Sequence, residues 1–251
     1  KYLSDKGFSL EQFGSDPDLK KIVENAFERI ITASEGRIFK SDLASNNSAL
    51  PMEIFSFLIA VILLKLSGMN TLIRRFSLAE ARRAEKFLEK DLINQKDVKK
   101  SKQSLQILQE LFSVTVQKDE EHFTIPIADY LKHAINFHER EWKLINRKVV
   151  SGKVHLTSHE TVRLVRKELD RHIFNKISLS SSPEMIQGFE PYVQKLRTLA
   201  KKFEVKTVES TEFPPCIKHA IEVLEKGENL SHSGRFLLAT FLLNKGQTIG
   251  Q

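Results

Sequence analysis

Four groups of residues in this 251-residue chain have types and spacings that could do chemistry. The first is Ile73-Arg74-Arg75-Phe76, followed by Arg82, Arg83 and Lys86. At about 100° per residue, Arg75, Arg82 and Lys86 share one helical stripe, opposite Ile73, Phe76, Ala84, Phe87 and Leu88. Arg74 falls outside that stripe, near Leu78, Ala81 and Leu92. A guanidinium turned toward apolar neighbours needs a specific partner. Two readings are open. The arginines contact phosphates, or the face is simply solvated and Arg74 bridges to a carboxylate such as Glu80.

The second group is Phe213-Pro-Pro-Cys216 with His232 and Arg235 downstream. Cys216 begins a helix, where the dipole favours a thiolate; a lone Cys is more often a small buried hydrophobe. His232 and Arg235 are three apart at a helix N-terminus and share a face that suits an anion. The alternative is an ordinary surface pair. The third group, Glu141-Trp142 through Leu156, holds the only Trp in a β-rich stretch. Its apolar residues could dock a partner, or Trp142 packs into its own domain. The fourth is His138 with Glu141, a helical i, i+3 pair that an unrecognised enzyme site could use, at a spacing common by chance.

Familiar catalytic patterns are missing. There is no P-loop and no GxGxxG, and the eight His form no HExxH or other spaced metal set. Nucleotidyl transfer needs two metals on clustered carboxylates, and no Asp-x-Asp or similar strand-borne pair occurs. Read alone, the chain is a non-catalytic subunit or a binding module.

The elements that hold these residues are mostly helical. Ser15-Asp16-Pro17 is a helix start, and Leu19, Ile22, Val23, Ala26, Phe27, Ile30 and Ile31 follow at helical spacing up to Gly36. Pro51 and Gly68 bound a helix over Met52 to Leu66. Its uncharged run, Ile54 to Leu64, is shorter than the ~18–20 residues of a membrane span and reads as a buried core helix. Further helices cover Asn70 to Ile93 and Val98 to Leu111. Ser113 to Gln117 and His122 to Ile127 form a hairpin around Lys118-Asp-Glu-Glu121. A helix over Ala128 to Phe137 follows. Trp142 to Val150 and Lys153 to Leu156 pair around Ser151-Gly152. Thr157 and Glu160 make a capping box that opens the helix Val162 to Ile177. Another helix runs from Ser182 to about Phe203, and 204–212 is a linker. Pro214-Pro215 opens a helix to Lys226, and the last apolar helix runs from Arg235 to Leu243.

The fold class is therefore mainly α. A helical body, 1–112 and 157–203, carries a small hairpin-containing α/β subdomain at 113–156, and 213–251 starts a further helical domain. Composition agrees: 41% hydrophobic and 28% charged residues support a packed core. Ten Gly and seven Pro are few for an all-β fold. One Cys excludes an intramolecular disulfide and points to a reducing compartment. The net charge of +7 mildly favours a polyanionic partner.

Three of these segments, in this order, resemble the large subunit of the archaeal–eukaryotic DNA primase. Ile73-Arg74-Arg75-Phe76 with Glu80-Ala81 is similar to the family's double-arginine helix. Trp142-Lys143-Leu144 through Gly152, Val154 and Leu156 is similar to its small α/β region. Pro215-Cys216 with His232 and Arg235 is similar to the start of its iron–sulfur domain. The resemblance covers roughly residues 50 to 245 in patches, and the compact size looks archaeal.

The resemblance implies a cytoplasmic replication protein that is not itself the polymerase and is not a membrane protein. It would pair with the primase small catalytic subunit, bind template DNA and the RNA/DNA primer, and influence initiation and product length. Arg74 and Arg75 would support primer synthesis. His232 and Arg235 would face template or the primer's 5′ end. Cys216 would be the first of four ligands to a [4Fe–4S] cluster. Such a cluster takes four thiolates and this chain has one. The chain is therefore expected to be truncated within that domain, at 213–251, and to hold no cluster as it stands. A stand-alone helical nucleic-acid-binding module is the competing expectation.

Overall fold

The computed structural model describes residues 7, 9–40, 50–93, 98–112, 115–119, 122–135, 137–181, 183–203 and 213–245. The helices are α1 (Leu10–Ser15), α2 (Pro17–Ser34), α3 (Leu50–Ser67), α4 (Asn70–Ile93), α5 (Val98–Phe112), α6 (Ile127–Ala134), α7 (Ser158–Leu179), α8 (Glu190–Lys201), α9 (Pro215–Glu225) and α10 (His232–Asn244). Four short strands, β1 (Gln117–Asp119), β2 (His122–Pro126), β3 (Val149–Val150) and β4 (Lys153–Leu156), make one antiparallel sheet in the order β1-β2-β4-β3. The architecture is mainly α with a small α/β part, as the sequence indicates. Residues 1–35, 41–76 and 180–251 form one compact unit, and 36–40 with 77–179 form a second.

In the first unit the start signals operate as written. Asp16 accepts a hydrogen bond from the Asp18 amide at 2.9 Å, with Pro17 in the first helical position. Gly68 takes φ of +70° just beyond α3, the left-handed conformation that ends a helix, as does Gly36 of the second unit at +75° after α2. Ile22, Val23, Ala26 and Ile30 of α2 are buried, as are Phe55, Ile59, Ala60, Leu63 and Leu64 of α3, which packs between α2 and α8. Among the described residues α3 alone has the length and composition of a membrane span. A single such helix is also what a protein core looks like, and its face toward α2 and α8 is fully packed. Arg29 is buried against it, 2.6 Å from Glu53 and 3.2 Å from the Ser56 hydroxyl. Phe213, Ile217, Ala220 and Leu238 give the α9–α10 pair a small core of its own.

In the second unit, one face of the sheet contributes Phe123, Ile125, Val154 and Leu156 to a core shared with Leu92, Leu108, Tyr130, Trp142, Val162, Leu164 and Val165. That places 158–179 with the sheet. The capping box is formed: Glu160 Oε2 accepts from the Thr157 amide at 2.8 Å, and Thr157 Oγ1 accepts from the Glu160 amide at 3.2 Å.

Several expected elements are shorter or different. Lys118 and Asp119 do not form the hairpin turn; they pair with Phe123 and His122 and extend β1. Residues 113, 114, 120 and 121 of that expected hairpin lie outside the described residues. The helix expected to reach Phe137 stops at Ala134. The stretch 142–148 is not strand: Arg140–Trp142 and Leu144–Asn146 are tight 3₁₀ turns, and only Val149–Val150 pairs with β4. Side chains hold the backbone there instead of a ladder. The Tyr130 hydroxyl donates to the Trp142 carbonyl at 2.6 Å and Asn146 Nδ2 to the Arg140 carbonyl at 2.6 Å. Of the helix expected from Ser182, residue 182 lies outside the described residues and 183–189 are not helical; α8 begins at Glu190, after the chain turns through Gly188 at φ +88° against Gly14. The expected linker 204–212 and the end of the chain at 246–251 lie outside the described residues.

Candidate functional site

The double arginine lies on the first turns of α4. Leu72, Ile73 and Phe76 are buried there, which aims Arg75 outward and leaves Arg74 half-buried. Arg75 Nη1 donates to the Ser34 carbonyl, the last of α2, at 2.8 Å, and its guanidinium stacks 4.2 Å over the Phe203 ring. The stem of Arg74 packs on Gly227, in the turn after α9; a Cβ at Gly227 would lie 2.9 Å from Arg74 Cδ. Glu80 lies 3.6 Å from Arg83 on the same helix. The apolar side of the stripe is also narrower than periodicity implies, since Phe87 is exposed and lies under Arg83.

The α9–α10 pair presents the other expected residues. Cys216 is exposed on the first turn of α9 rather than buried. Ser231 caps α10, its hydroxyl accepting from the Gly234 amide at 3.1 Å. His232 and Arg235 both lie exposed on the first turns of α10, so the expectation that they share a helix N-terminus holds. Phe236, 70% exposed, lies next to them. A [4Fe–4S] cluster does not fit the residues present. The chain supplies one thiolate of four, and no three His, Cys, Asp or Glu side chains converge on a metal position among the described residues.

In the second unit Trp142 is buried, stacked on Phe137 at 4.2 Å between centroids, so it belongs to its own core and is not itself a docking residue. Arg147 organises the surrounding turns. It donates to Glu160 Oε1 at 2.7 Å and to the carbonyls of Glu141 and His155 at 3.2 Å each. Glu160 is held down to about 2, foremost by that hydrogen bond from Arg147. With Trp142 and Arg147 turned inward, the intervening Ile145 is 90% exposed, and Val149 and Val150 on the edge strand are 40% and 48% exposed. His138 is not helical: it precedes the first 3₁₀ turn, so its spacing to Glu141 does not make the face an acid–base pair would need.

Sequence reading missed Arg147, Phe203 and Gly227. Arg147 had a signal in retrospect, as a lone Arg inside an apolar stretch beside a capping-box Glu. The other two had none, because both act through contacts distant along the chain.

The chain can be set against known proteins. Residues 206–251 match the family model for the C-terminal domain of the large subunit of eukaryotic and archaeal DNA primase. Over its whole length the chain is 30% identical to the DNA primase large subunit PriL of Methanosarcina barkeri, of which it spans 60%. It is 29% identical to the PriL of Methanocella arvoryzae across 98% of the chain and 66% of that protein. It is 30% identical to the PriL of Methanococcoides burtonii across the whole chain and 70% of that protein. Such identity, sustained across both compact units, is family membership: the chain belongs to the archaeal and eukaryotic family of DNA primase large subunits.

Proposed function

We propose that this chain is the regulatory, non-catalytic part of a DNA primase. It binds the small catalytic subunit, and the complex modulates initiation and length of RNA/DNA primers during DNA replication. The observation that carries the reading is the similarity, over the whole of this chain and 60–70% of the relatives, to proteins named DNA primase large subunit. The docking surface for the small subunit is the exposed edge of the α/β part, Ile145, Val149 and Val150. Apolar side chains presented on a rigid frame are what a stable protein–protein contact uses. Template and primer are bound through the exposed His232 and Arg235 on the first turns of α10, and the double arginine Arg74-Arg75 supports primer synthesis. Cys216 becomes a cluster ligand only alongside three further thiolates that this sequence does not contain.

The test is co-expression with a primase small subunit from the same source, followed by size-exclusion chromatography and a primer-synthesis assay. Co-elution with changed initiation or product length is expected. Separate elution with unchanged synthesis would reject the regulatory role.

A further inference from the structure

Arg74 and Arg75 are neighbours in sequence, and each is engaged by a segment far along the chain. Arg75 holds Phe203, just past the end of α8, and the carbonyl that ends α2. Arg74 holds Gly227, in the turn between α9 and α10. Gly227 has φ +70° and follows the last turn of α9, where its amide bonds the Leu224 carbonyl at 2.8 Å. A Cβ at this position would lie 2.9, 3.6 and 3.7 Å from Arg74 Cδ, Cβ and Cγ. The aliphatic stem thus fills the space that any side chain at 227 would need.

We propose that Arg74 acts as a latch, fixing the α9–α10 pair in one place on the helices of the first unit, while Arg75 ties the end of α8 to the end of α2. The pair keeps its own core of Phe213, Ile217, Ala220 and Leu238. Its internal fold is therefore independent of the latch, and only its placement depends on it. Cys216, His232 and Arg235 all ride on this pair, so Arg74 sets where they stand. Arg74 is then a positioning residue. Its consequence for primer synthesis rests on the primase reading above; the placement itself does not.

The experiment needs neither nucleic acid nor a small subunit. Glu28 is exposed on α2 and Cys216 is the chain's only thiol. Glu28→Cys therefore allows two nitroxide labels, whose separation is read by double electron–electron resonance on the 251-residue chain. One narrow distance peak is expected in this background. Arg74→Ala should replace it with a broad distribution, while Arg74→Lys, which keeps the stem, should retain the narrow peak. Gly227→Asn approaches from the other side: Asn tolerates the left-handed backbone, so it adds crowding against Arg74 with little backbone strain. It should broaden the peak too, and it decides the matter if circular dichroism shows Arg74→Ala unfolded. A distribution already broad in the Glu28→Cys background overturns the latch. So does a narrow peak in a folded Arg74→Ala chain, and if that variant had also lost primer synthesis, Arg74 would contact phosphate directly. Failure to co-elute with the small subunit would instead count against the primase reading and leave the placement result standing.

Discussion

His133 is 3% exposed within the α/β part, and neither ring nitrogen has a hydrogen-bond partner. Glu168 Oε1 lies 3.9 Å away and is itself bound by Arg171, while Asp129 and Lys132 flank the ring from its own helix. Burial is the main cause that pushes the imidazole below its ordinary 6.5. The folded unit therefore holds His133 neutral, while the unfolded chain protonates it more readily. Stability from this residue is full above 6.5 and is lost as pH falls through that value toward the lower folded one. His133→Leu should remove this decline and, by eliminating two unpaired buried nitrogens, raise stability at neutral pH by about 1 kcal/mol. Thermal melts of the two proteins from neutral pH downward check it; parallel curves would refute it. A second decline should survive in the variant. Glu160 drops from 4.5 to about 2, so its stabilising contribution is present above 4.5 and fades as pH falls toward 2. That contribution is at most about 3 kcal/mol and smaller after screening, since the carboxylate is partly solvated.

At the scale of elements, glycines decide more than periodicity does. Gly14, in α1, and Gly188, before α8, meet backbone to backbone. A Cβ on Gly188 would fall 2.7 Å from the Gly14 carbonyl oxygen, and one on Gly14 would collide with the Gln187 carbonyl. This crossing keeps 183–189 out of the helix and lets α8 start at Glu190 with Pro191 in its first turn. Gly14→Ala has no flexible atom to displace, so it should cost more than about 2 kcal/mol. A urea titration would show it as a lower midpoint with an unchanged slope. A loss under about 0.5 kcal/mol, the level of an ordinary surface change, would mean the crossing relaxes freely. The same logic runs through 140–147, where Tyr130, Asn146 and Arg147 satisfy backbone carbonyls by side-chain donors and wind an apolar stretch into 3₁₀ turns.

For the whole molecule, the two units divide the work. The α/β unit turns Trp142 in and Ile145 out, and an isoleucine at 90% exposure on a well-tied turn has no role in its own core. Ile145→Glu should therefore leave the melting temperature of the isolated chain unchanged and abolish co-elution with the small subunit, because a carboxylate buried in an apolar contact loses its hydration. Retained co-elution would move the docking surface away from this edge. The helical unit, in turn, gathers the double arginine and the α9–α10 pair, so mutations in Arg74 are to be judged by their effect on placement as well as on nucleic acid.

What the sequence determined by itself is local or additive. Caps and stops such as Asp16-Pro17, Gly36, Gly68 and Thr157 with Glu160 work through atoms within four residues, and each does what its type dictates. Helical periodicity places α2, α4 and α5, and the resemblance carried by Arg74-Arg75, Trp142 and Cys216 leads to the right family. Only the tertiary structure decided what those residues touch. Of the readings the sequence left open, Trp142 takes the core one, and Cys216 is exposed rather than a buried thiol. Arg74 meets Gly227, and Arg75 meets Phe203 and Ser34. These contacts join residues 41 to 153 positions apart, by arithmetic on their numbers, and no spacing rule reaches that far. They arise because packing a whole unit brings distant surfaces together, and a side chain's partner is set by that packing rather than by its neighbours in the chain.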